Sequence, residues 1–297
     1  MLKRLKKLRH NAVDFISIIV HPLFRLLGKK RIRILLYHRV CDLPEEAGFA
    51  FYVTPAKFSQ QMEFLSRNGF NVMTLNELTD YRDGYNNLPL KSIVITFDDG
   101  YSDNYVNAFP ILQRYNLKAT FFVVTDYINS DSIFPWLNLD KGSLQHYQAD
   151  KASWLPLTRQ NILDMAAHGA SFGAHTKTHC TLDSVEESEA IEELVDSRKC
   201  LEKILSTSVR CLSYPYGRVN NRIKNLAKEA GYRVAVAGVG SNTLRTDPFE
   251  LRRITVQQQD SLAKFKRQIE GAYDWREYLQ PVLKFIYYIL YQGHEDK

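Results

Sequence analysis

The chain has 297 residues, of which 45% are hydrophobic and 24% are charged, a composition that fits a globular protein with a substantial core and excludes a fibrous or disordered chain. Lys and Arg exceed Asp and Glu by six, but ten basic residues and a single acid lie in residues 1–33. The remainder has 29 basic and 32 acidic residues, which argues against nucleic acid as a partner because such binding needs a basic face on the folded domain.

Residues 1–30 form a basic amphipathic arm. Apolar residues recur there at steps of three or four, at Leu2, Leu5, Leu8, Ala12, Phe15 and Ile19. This spacing predicts a helix that contacts an anionic membrane surface, with packing on its own domain or on a partner as the alternative. We expect neither a cleavable signal peptide nor a spanning helix, because Asp14 interrupts the apolar stretch and no small-x-small site follows it. The expected location is cytoplasmic or peripheral on the cytoplasmic membrane.

From residue 31 onward, short apolar runs alternate with helical patterns. Eight runs have the character of strands, at 31–38, 71–75, 92–97, 119–124, 170–175, 210–215, 233–238 and 251–256. Helices are predicted at 54–69, 107–116, 158–169, 185–205 and 219–231. The alternation predicts an α/β fold, namely a β/α barrel over residues 31–270 that is distorted or incomplete, and a doubly wound sheet is the alternative.

Two further segments flank or interrupt this pattern. Residues 129–157 form a long irregular insertion with Trp136 and Trp154, which we expect to shape a binding site. Residues 271–297 are predicted to form an amphipathic helix and a tail. The four cysteines show no C-x-x-C spacing, so we expect reduced thiols rather than disulfides or a Cys-rich zinc site.

Acids and histidines follow the predicted strands. The run 92–97 ends at Asp98 and Asp99, the run 170–175 ends at His175, and His179 follows it at H-x-x-x-H spacing. In a barrel the ends of parallel strands share one rim, so these side chains can converge. Imidazole and carboxylate together suit a divalent cation, most readily Zn²⁺, although Co²⁺ or Ni²⁺ fit the same ligands.

The ordered motifs TFDDG (96–100), HTKTH (175–179) and YPYG (214–217) resemble those of the polysaccharide deacetylases, the chitooligosaccharide deacetylase homology domain of carbohydrate esterase family four. The stretches ILLYHRV and DPFELRRITV resemble members of bacterial surface-polysaccharide type, and the likeness covers roughly residues 31–270. It implies metal-dependent N-deacetylation of an amino sugar in a polysaccharide, an oligosaccharide or a lipid-linked glycan. It further implies that Asp99, His175 and His179 bind the metal and that Asp98 acts as base on the metal-bound water. Tyr216 would donate its backbone N–H to the oxyanion.

Two positions depart from that family pattern. Ser213 stands where an arginine usually orients the catalytic base, and no histidine lies between His179 and His294 to act as the late general acid. We expect His38, at the end of the first strand, to supply that proton. We expect Arg252 or Arg253 to supply the guanidinium that orients Asp98. Because adjacent strand residues face opposite ways, only one of the two can point to the rim, and Arg252 is the preferred choice.

Two other functions remain open. One is a catalytically inactive glycan-binding module that keeps the fold, which the two departures would allow. The other is a metal-dependent amide or ester hydrolase that acts on a non-sugar substrate.

Overall fold

The structure is a computed structural model that describes residues 14–19, 22, 31–43, 51–83, 88–137, 145 and 150–275. The chain divides into two compact units, one of residues 31–260 and one of residues 1–30 with 261–297. The strands of the first unit are β1 (Arg33–Tyr37), β2 (Arg39–Val40), β3 (Tyr52–Val53), β4 (Asn71–Met73), β5 (Ser92–Phe97), β6 (Thr120–Val123), β7 (Ser171–Ala174), β8 (Cys211–Ser213), β9 (Val234–Val239) and β10 (Leu251–Thr255). Its helices are α1 (Pro55–Arg67), α2 (Leu75–Asp83), α3 (Phe109–Arg114), α4 (Arg159–Ala167), α5 (Glu187–Leu205) and α6 (Asn221–Glu229).

Seven parallel strands close into a ring. Neighbours around it are β1, β10, β9, β8, β7, β6 and β5, and β5 pairs with β1 again over Ile93–Phe97. The eighth strand, β4, pairs with the first half of β5, whereas β6 pairs with its second half. The β/α barrel is therefore confirmed. The eight predicted runs do not make an eight-fold ring, because seven of them close the barrel and β4 pairs alongside β5 outside the ring.

The two faces of β5 explain how the barrel is filled. Val94 belongs to an interior cluster with residues from β1, β6, β8, β9 and β10, and Leu75 and Leu78 of α2 join this cluster. Phe97 faces the other way, where its ring stacks on Phe121 at 4.7 Å and meets Phe58 of α1 edge-on. Because side chains alternate along a strand, Thr96 and Asp98 continue the interior column that begins at Val94.

All eight predicted strands and all five predicted helices are present. The sequence pattern missed α2, whose start is marked by a reciprocal cap: Thr74 N donates to Glu77 Oε2 at 2.8 Å and Glu77 N donates to Thr74 Oγ1 at 3.1 Å. It also missed the two-residue strands β2 and β3, which form a small parallel pair of their own. The four cysteines are free thiols, as expected.

The second unit is described in part. Residues 14–19 are helical, and α7 (Leu262–Ile269) begins at Ser261, whose side chain accepts a hydrogen bond from Lys264 N. Residues 1–13 of the predicted arm and residues 276–297 of the predicted C-terminal helix lie outside the described residues. Among the described residues, no helix has the length and apolarity needed to cross a bilayer.

Candidate metal centre

The carboxyl ends of the barrel strands place the predicted site residues on one rim. Asp98 and Asp99 follow β5, His175 follows β7, and Tyr216 lies in the turn after β8. Gly173 precedes His175 by two residues on the interior face, where an added Cβ would lie 2.6 Å from the ring of Phe122. Only glycine fits there, so the close packing of the barrel interior extends as far as His175.

Asp99, His175 and His179 form a buried cluster with the donor set of a metal site. One ligand atom from each residue lies within 4.8 Å of the others. Asp99 Oδ1 is 3.5 Å from His175 Nε2 and 3.6 Å from His179 Nε2. Two imidazoles and one carboxylate match the ligands of a catalytic zinc site that leaves positions open.

The tautomer of His175 supports this fit. Its Nδ1 lies 2.8 Å from the carbonyl oxygen of Ser213, which can only accept, so Nδ1 carries the hydrogen. The remaining nitrogen, Nε2, faces Asp99 Oδ1 at 3.5 Å, so either a proton on Nε2 or a cation between the two atoms must balance the charge of the carboxylate. A divalent cation would meet that need, and the bond to a backbone carbonyl is the usual way in which a ligand histidine is oriented.

The second acid of the motif, Asp98, is held by Arg253 and Ser213. Arg253 Nη1 and Nη2 donate to the two oxygens of Asp98, each at 2.6 Å, and Ser213 Oγ donates to Oδ2 at 3.1 Å. Ser213 Oγ also accepts from Arg253 Nη2 at 3.0 Å. The carboxylate of Asp98 is therefore held in a bidentate, charge-assisted pair that fixes its orientation.

The preference for Arg252 is wrong. Arg252 is exposed on the outer face of β10, whereas Arg253 is buried and shares the inner face with Leu251. The prediction that one of the two supplies a guanidinium to Asp98 is correct in its geometry. Arg253 thus gives Asp98 a guanidinium partner although Ser213 stands at the sequence position where the family has an arginine.

The charges in the site set the protonation of its acids. Burial raises the pKa of Asp98, but the charges of Arg253 and His175 and the bonds from Arg253 outweigh it and hold that pKa well below its usual range. Burial likewise raises the pKa of Asp99, and a hydrogen bond from His175 together with the positive charges of His38 and His175 lowers it on balance. Both carboxylates are therefore ionised at neutral pH.

The histidines respond in opposite directions. Burial lowers the pKa of His175, but the carboxylates of Asp98 and Asp99 raise it above the usual value. Burial and the charge of His175 lower the pKa of His179 to about 4. His179 is thus neutral near pH 7, as a metal ligand must be.

Several residues of the site have left-handed backbone. Asp99, Thr176, His179 and Tyr216 have φ of 71°, 65°, 69° and 60°, a region that costs energy for residues other than glycine. All four lie in the turns that follow β5, β7 and β8. Strain gathered in these turns indicates that the surrounding fold enforces the placement of the side chains.

An aromatic wall surrounds His179. Trp136, from the insertion at 129–157, stacks on the imidazole with ring centroids 4.0 Å apart, and Phe134 stacks on Trp136 at 4.6 Å. Tyr216 meets His179 edge-on at 4.8 Å and is itself 63% exposed. Among the described residues of the insertion, Trp136 therefore borders the site while Trp154 packs on Arg39, and the side chain of Tyr216 borders open space.

His38 lies at the same rim and interacts with the acids. Burial lowers its pKa on balance, while the carboxylates of Asp99 and Asp98 act in the opposite direction. Its carbonyl oxygen accepts from Asn104 Nδ2 at 2.8 Å, which ties the end of β1 to the turn after β5. His38 is thus brought to the site that the sequence predicted for it.

A network next to His38 was not predicted as a site feature. Arg39 and Asp103, both with fully buried side chains, form an ion pair at 2.7 Å, and Asp103 Oδ1 accepts from Val40 N at 3.1 Å. The guanidinium lies 3.9 Å from the ring centre of Trp154, so the cation is enclosed by an aromatic face. The sequence gave no signal for the pairing of Asp103 with Arg39.

Comparison with known proteins gives consistent results. The family model for polysaccharide deacetylase matches residues 85–235. YxkH of Bacillus subtilis, named as a polysaccharide deacetylase, is 28% identical over 81% of this chain and 77% of its own. The poly-β-1,6-N-acetyl-D-glucosamine N-deacetylase of Staphylococcus epidermidis is 32% identical over 60% of this chain, and the match spans only 58% of that relative. The structure of the Streptococcus pyogenes deacetylase PplD in complex with acetate superposes with a TM-score of 0.69 at 25% identity, over 80% of this chain and 98% of that one.

Proposed function

The chain belongs to the polysaccharide deacetylase family, and from this premise we propose that it removes the acetyl group of an N-acetylated amino sugar in a polysaccharide by metal-assisted hydrolysis. As a member of that family it is a hydrolase that acts on the amide bonds of N-acetyl sugars. The observation that carries the finer proposal is the carboxylate of Asp98, held by Arg253 and Ser213 beside the cluster of Asp99, His175 and His179.

Asp99, His175 and His179 would hold a divalent cation, for which their donor set favours Zn²⁺ over Co²⁺ or Ni²⁺. Such an ion, when bound, supplies a Lewis acid that polarises the acetamide carbonyl and makes a water more acidic. Asp98 does not belong to the three-residue cluster, although His175 Nε2 lies 3.8 Å from its Oδ2. This separation supports a division of labour in which one acid binds the metal and the other moves a proton.

In the proposed reaction Asp98 accepts a proton from the water that attacks the acetamide carbon. Arg253 and Ser213 fix the direction of the accepting oxygens, so the carboxylate need not reorganise as the reaction proceeds. The backbone N–H of Tyr216 would donate to the oxyanion. Tyr216 has a left-handed backbone, with φ 60°, so the conformation of the turn fixes the direction of its N–H.

Breaking the C–N bond leaves an amine that must receive a proton. We assign this step to His38, which shares the rim with the acids; because burial lowers its pKa, its protonated form is a stronger proton donor than an ordinary imidazolium. The products are acetate and the free amino sugar. With Arg253 and His38 in these places, each of the two departures from the family pattern has a substitute, which favours an active enzyme over an inactive glycan-binding module.

The first substrate to test is poly-β-1,6-N-acetyl-D-glucosamine, because the staphylococcal relative is named for it. The exposed ring of Tyr216 and the ring of Trp136 border the candidate centre and offer stacking surfaces for sugar faces. Lipid-linked N-acetylated sugars form the second group of substrates. Aryl acetates and N-acetyl peptides represent the non-sugar alternative.

The experiment measures acetate release and bound metal for the wild type and for Asp98→Asn across these substrates. We expect both proteins to bind one equivalent of metal and only the wild type to release acetate from an N-acetyl glycan. Release from aryl acetates or peptides alone would favour a non-sugar substrate. Bound metal without acetate from any substrate would favour the inactive module, and a lack of metal in both proteins would contradict the proposal.

A further inference from the structure

The helical residues 14–19 of the second unit expose their apolar side chains and turn their polar ones inward. Phe15, Ile16, Ile18 and Ile19 are 65%, 41%, 52% and 63% exposed, whereas Ser17 is fully buried. We call the four exposed residues the apolar face. A helix that packs on its own domain shows the opposite arrangement, with its apolar stripe buried.

Polar bonds fix this orientation. Ser17 Oγ accepts from Trp275 Nε1 at 2.9 Å, and Asp14 Oδ1 accepts from the hydroxyl of Tyr273 at 2.8 Å. At about 100° per residue, Ser17 lies opposite the centre of the apolar face, which spans an arc of about 160°. Rotating the helix to bury the apolar face would break both bonds, so its exposure is built into the unit.

The apolar face is a continuous patch. Among the described residues, the other large apolar side chains that are exposed lie singly along residues 31–260, as single surface residues commonly do. Four adjacent apolar side chains, exposed on little more than one helical turn, are unfavourable in water, so we expect them to contact an apolar partner.

The charge of the surrounding sequence identifies that partner. Ten Lys and Arg residues accompany a single acid in residues 1–33, and that acid, Asp14, is already bonded to Tyr273. Apolar side chains on one face of a helix, with many basic residues in the adjoining sequence, are the features of a helix that lies in the interface of an anionic bilayer. We propose that the apolar face docks this protein on an anionic lipid surface. The proposal does not depend on the catalytic assignment.

The test is flotation of the full chain with vesicles of phosphatidylglycerol and phosphatidylethanolamine, and with vesicles of phosphatidylcholine. The variant Phe15→Ser/Ile19→Ser removes half of the apolar face while leaving the bonds of Ser17 and Asp14 in place. The matched control, Leu90→Ser/Ile191→Ser, removes two apolar side chains that are 70% and 41% exposed in the other unit. Thermal unfolding of each variant checks that it is folded.

We expect the wild type and the control to bind anionic vesicles equally, and we expect the Phe15/Ile19 variant to bind them about tenfold more weakly. Phosphatidylcholine vesicles should bind the wild type at least tenfold more weakly than anionic ones. Equal binding of all three proteins, or no binding by the wild type, overturns the proposal. So does a dimer in sedimentation velocity that the Phe15/Ile19 variant loses while vesicle binding is absent, because the apolar face would then join two copies of the chain.

Discussion

Replacing Arg253 by Gln should lower kcat by about a hundredfold or more, while KM and metal content stay near those of the wild type. The reason is that Arg253 contacts Asp98 and not open space: both side chains are only 4% exposed, and two bonds of 2.6 Å join them. Loss of the guanidinium leaves a buried carboxylate with one hydroxyl donor, Ser213. Removing one partner from such a buried pair costs about 3–5 kcal/mol of unfolding free energy.

At about 2–4 °C for each kcal/mol in a unit of this size, that cost lowers the melting temperature by roughly 6–20 °C. Steady-state kinetics must therefore be measured well below the melting temperature of the variant, on the substrate that the acetate assay identifies. Arg253→Lys keeps the charge but loses the bidentate contact, and should lie between wild type and Arg253→Gln. Arg252→Gln is the matched control, because Arg252 is the exposed neighbour on the same strand; it should change kcat less than twofold and stability by about 0.5 kcal/mol or less.

Equal kinetics for the Arg253→Gln and Arg252→Gln variants would refute the assignment of Arg253 as the residue that orients the base. A rise in KM at unchanged kcat would also refute it, since it would mean that Arg253 acts on substrate binding.

Further predictions concern the surroundings of the site. Trp136→Leu should weaken Zn²⁺ binding about 10–100-fold because it removes the ring that stacks on His179, and Trp136→Phe should recover most of the affinity. Competition with a chelator measures the Zn²⁺ affinity of each variant. Equal affinities for the wild type and Trp136→Leu would refute the stacking role. Asp103→Asn should destabilise the chain by about 3–5 kcal/mol in urea unfolding because it leaves the charge of Arg39 buried and unpaired, whereas a loss below about 1 kcal/mol would contradict this account. Burial raises the pKa of Glu77, but bonds from Lys118 and from Thr74 at the start of α2 lower it on balance. Ionised Glu77 therefore stabilises the folded state fully above about pH 4.3, the ordinary pKa of Glu, and this stabilisation is lost as the pH falls through the lowered pKa. Glu77→Gln should therefore flatten the acid side of the stability profile, and an unchanged profile would count against it.

The proximity of the acids and histidines could be predicted from sequence because the barrel brings the ends of its strands together, whereas the choice of Asp99 over Asp98 as a ligand came from the family resemblance. The motifs that hold Asp99, His175 and His179 lie far apart in the chain, yet each follows a run of buried, mostly apolar residues. Once the alternation of strands and helices is recognised, parallel pairing brings these ends to one rim. The number of strands in the ring depends on how β4 and β6 divide the edge of β5, which no local pattern specifies.

The alternation along β10 limits the guanidinium to one of Arg252 and Arg253 but does not say which, because Ile254 and Val256 share the face of Arg252 and Leu251 shares that of Arg253. In the structure Leu251 lies in the barrel interior, and Arg253 is its neighbour two positions later on the same face. The preference for Arg252 applied the alternation but did not identify which face of the strand is interior. The ion pair of Arg39 with Asp103 has no signal in the sequence, because it depends on where the turn after β5 meets the end of β1.

The pairing of Asp98 with Arg253 spans 155 residues of sequence. During synthesis at about 5–20 residues per second, the ribosome delivers the guanidinium roughly 8–30 s after the carboxylate. In that interval β5 can pair with β1, but the ring lacks β10, and Asp98 would have to enter the interior without its cation. The newborn chain can therefore complete the barrel only when β10 arrives, and the strand that closes the ring also brings the guanidinium that pairs with Asp98.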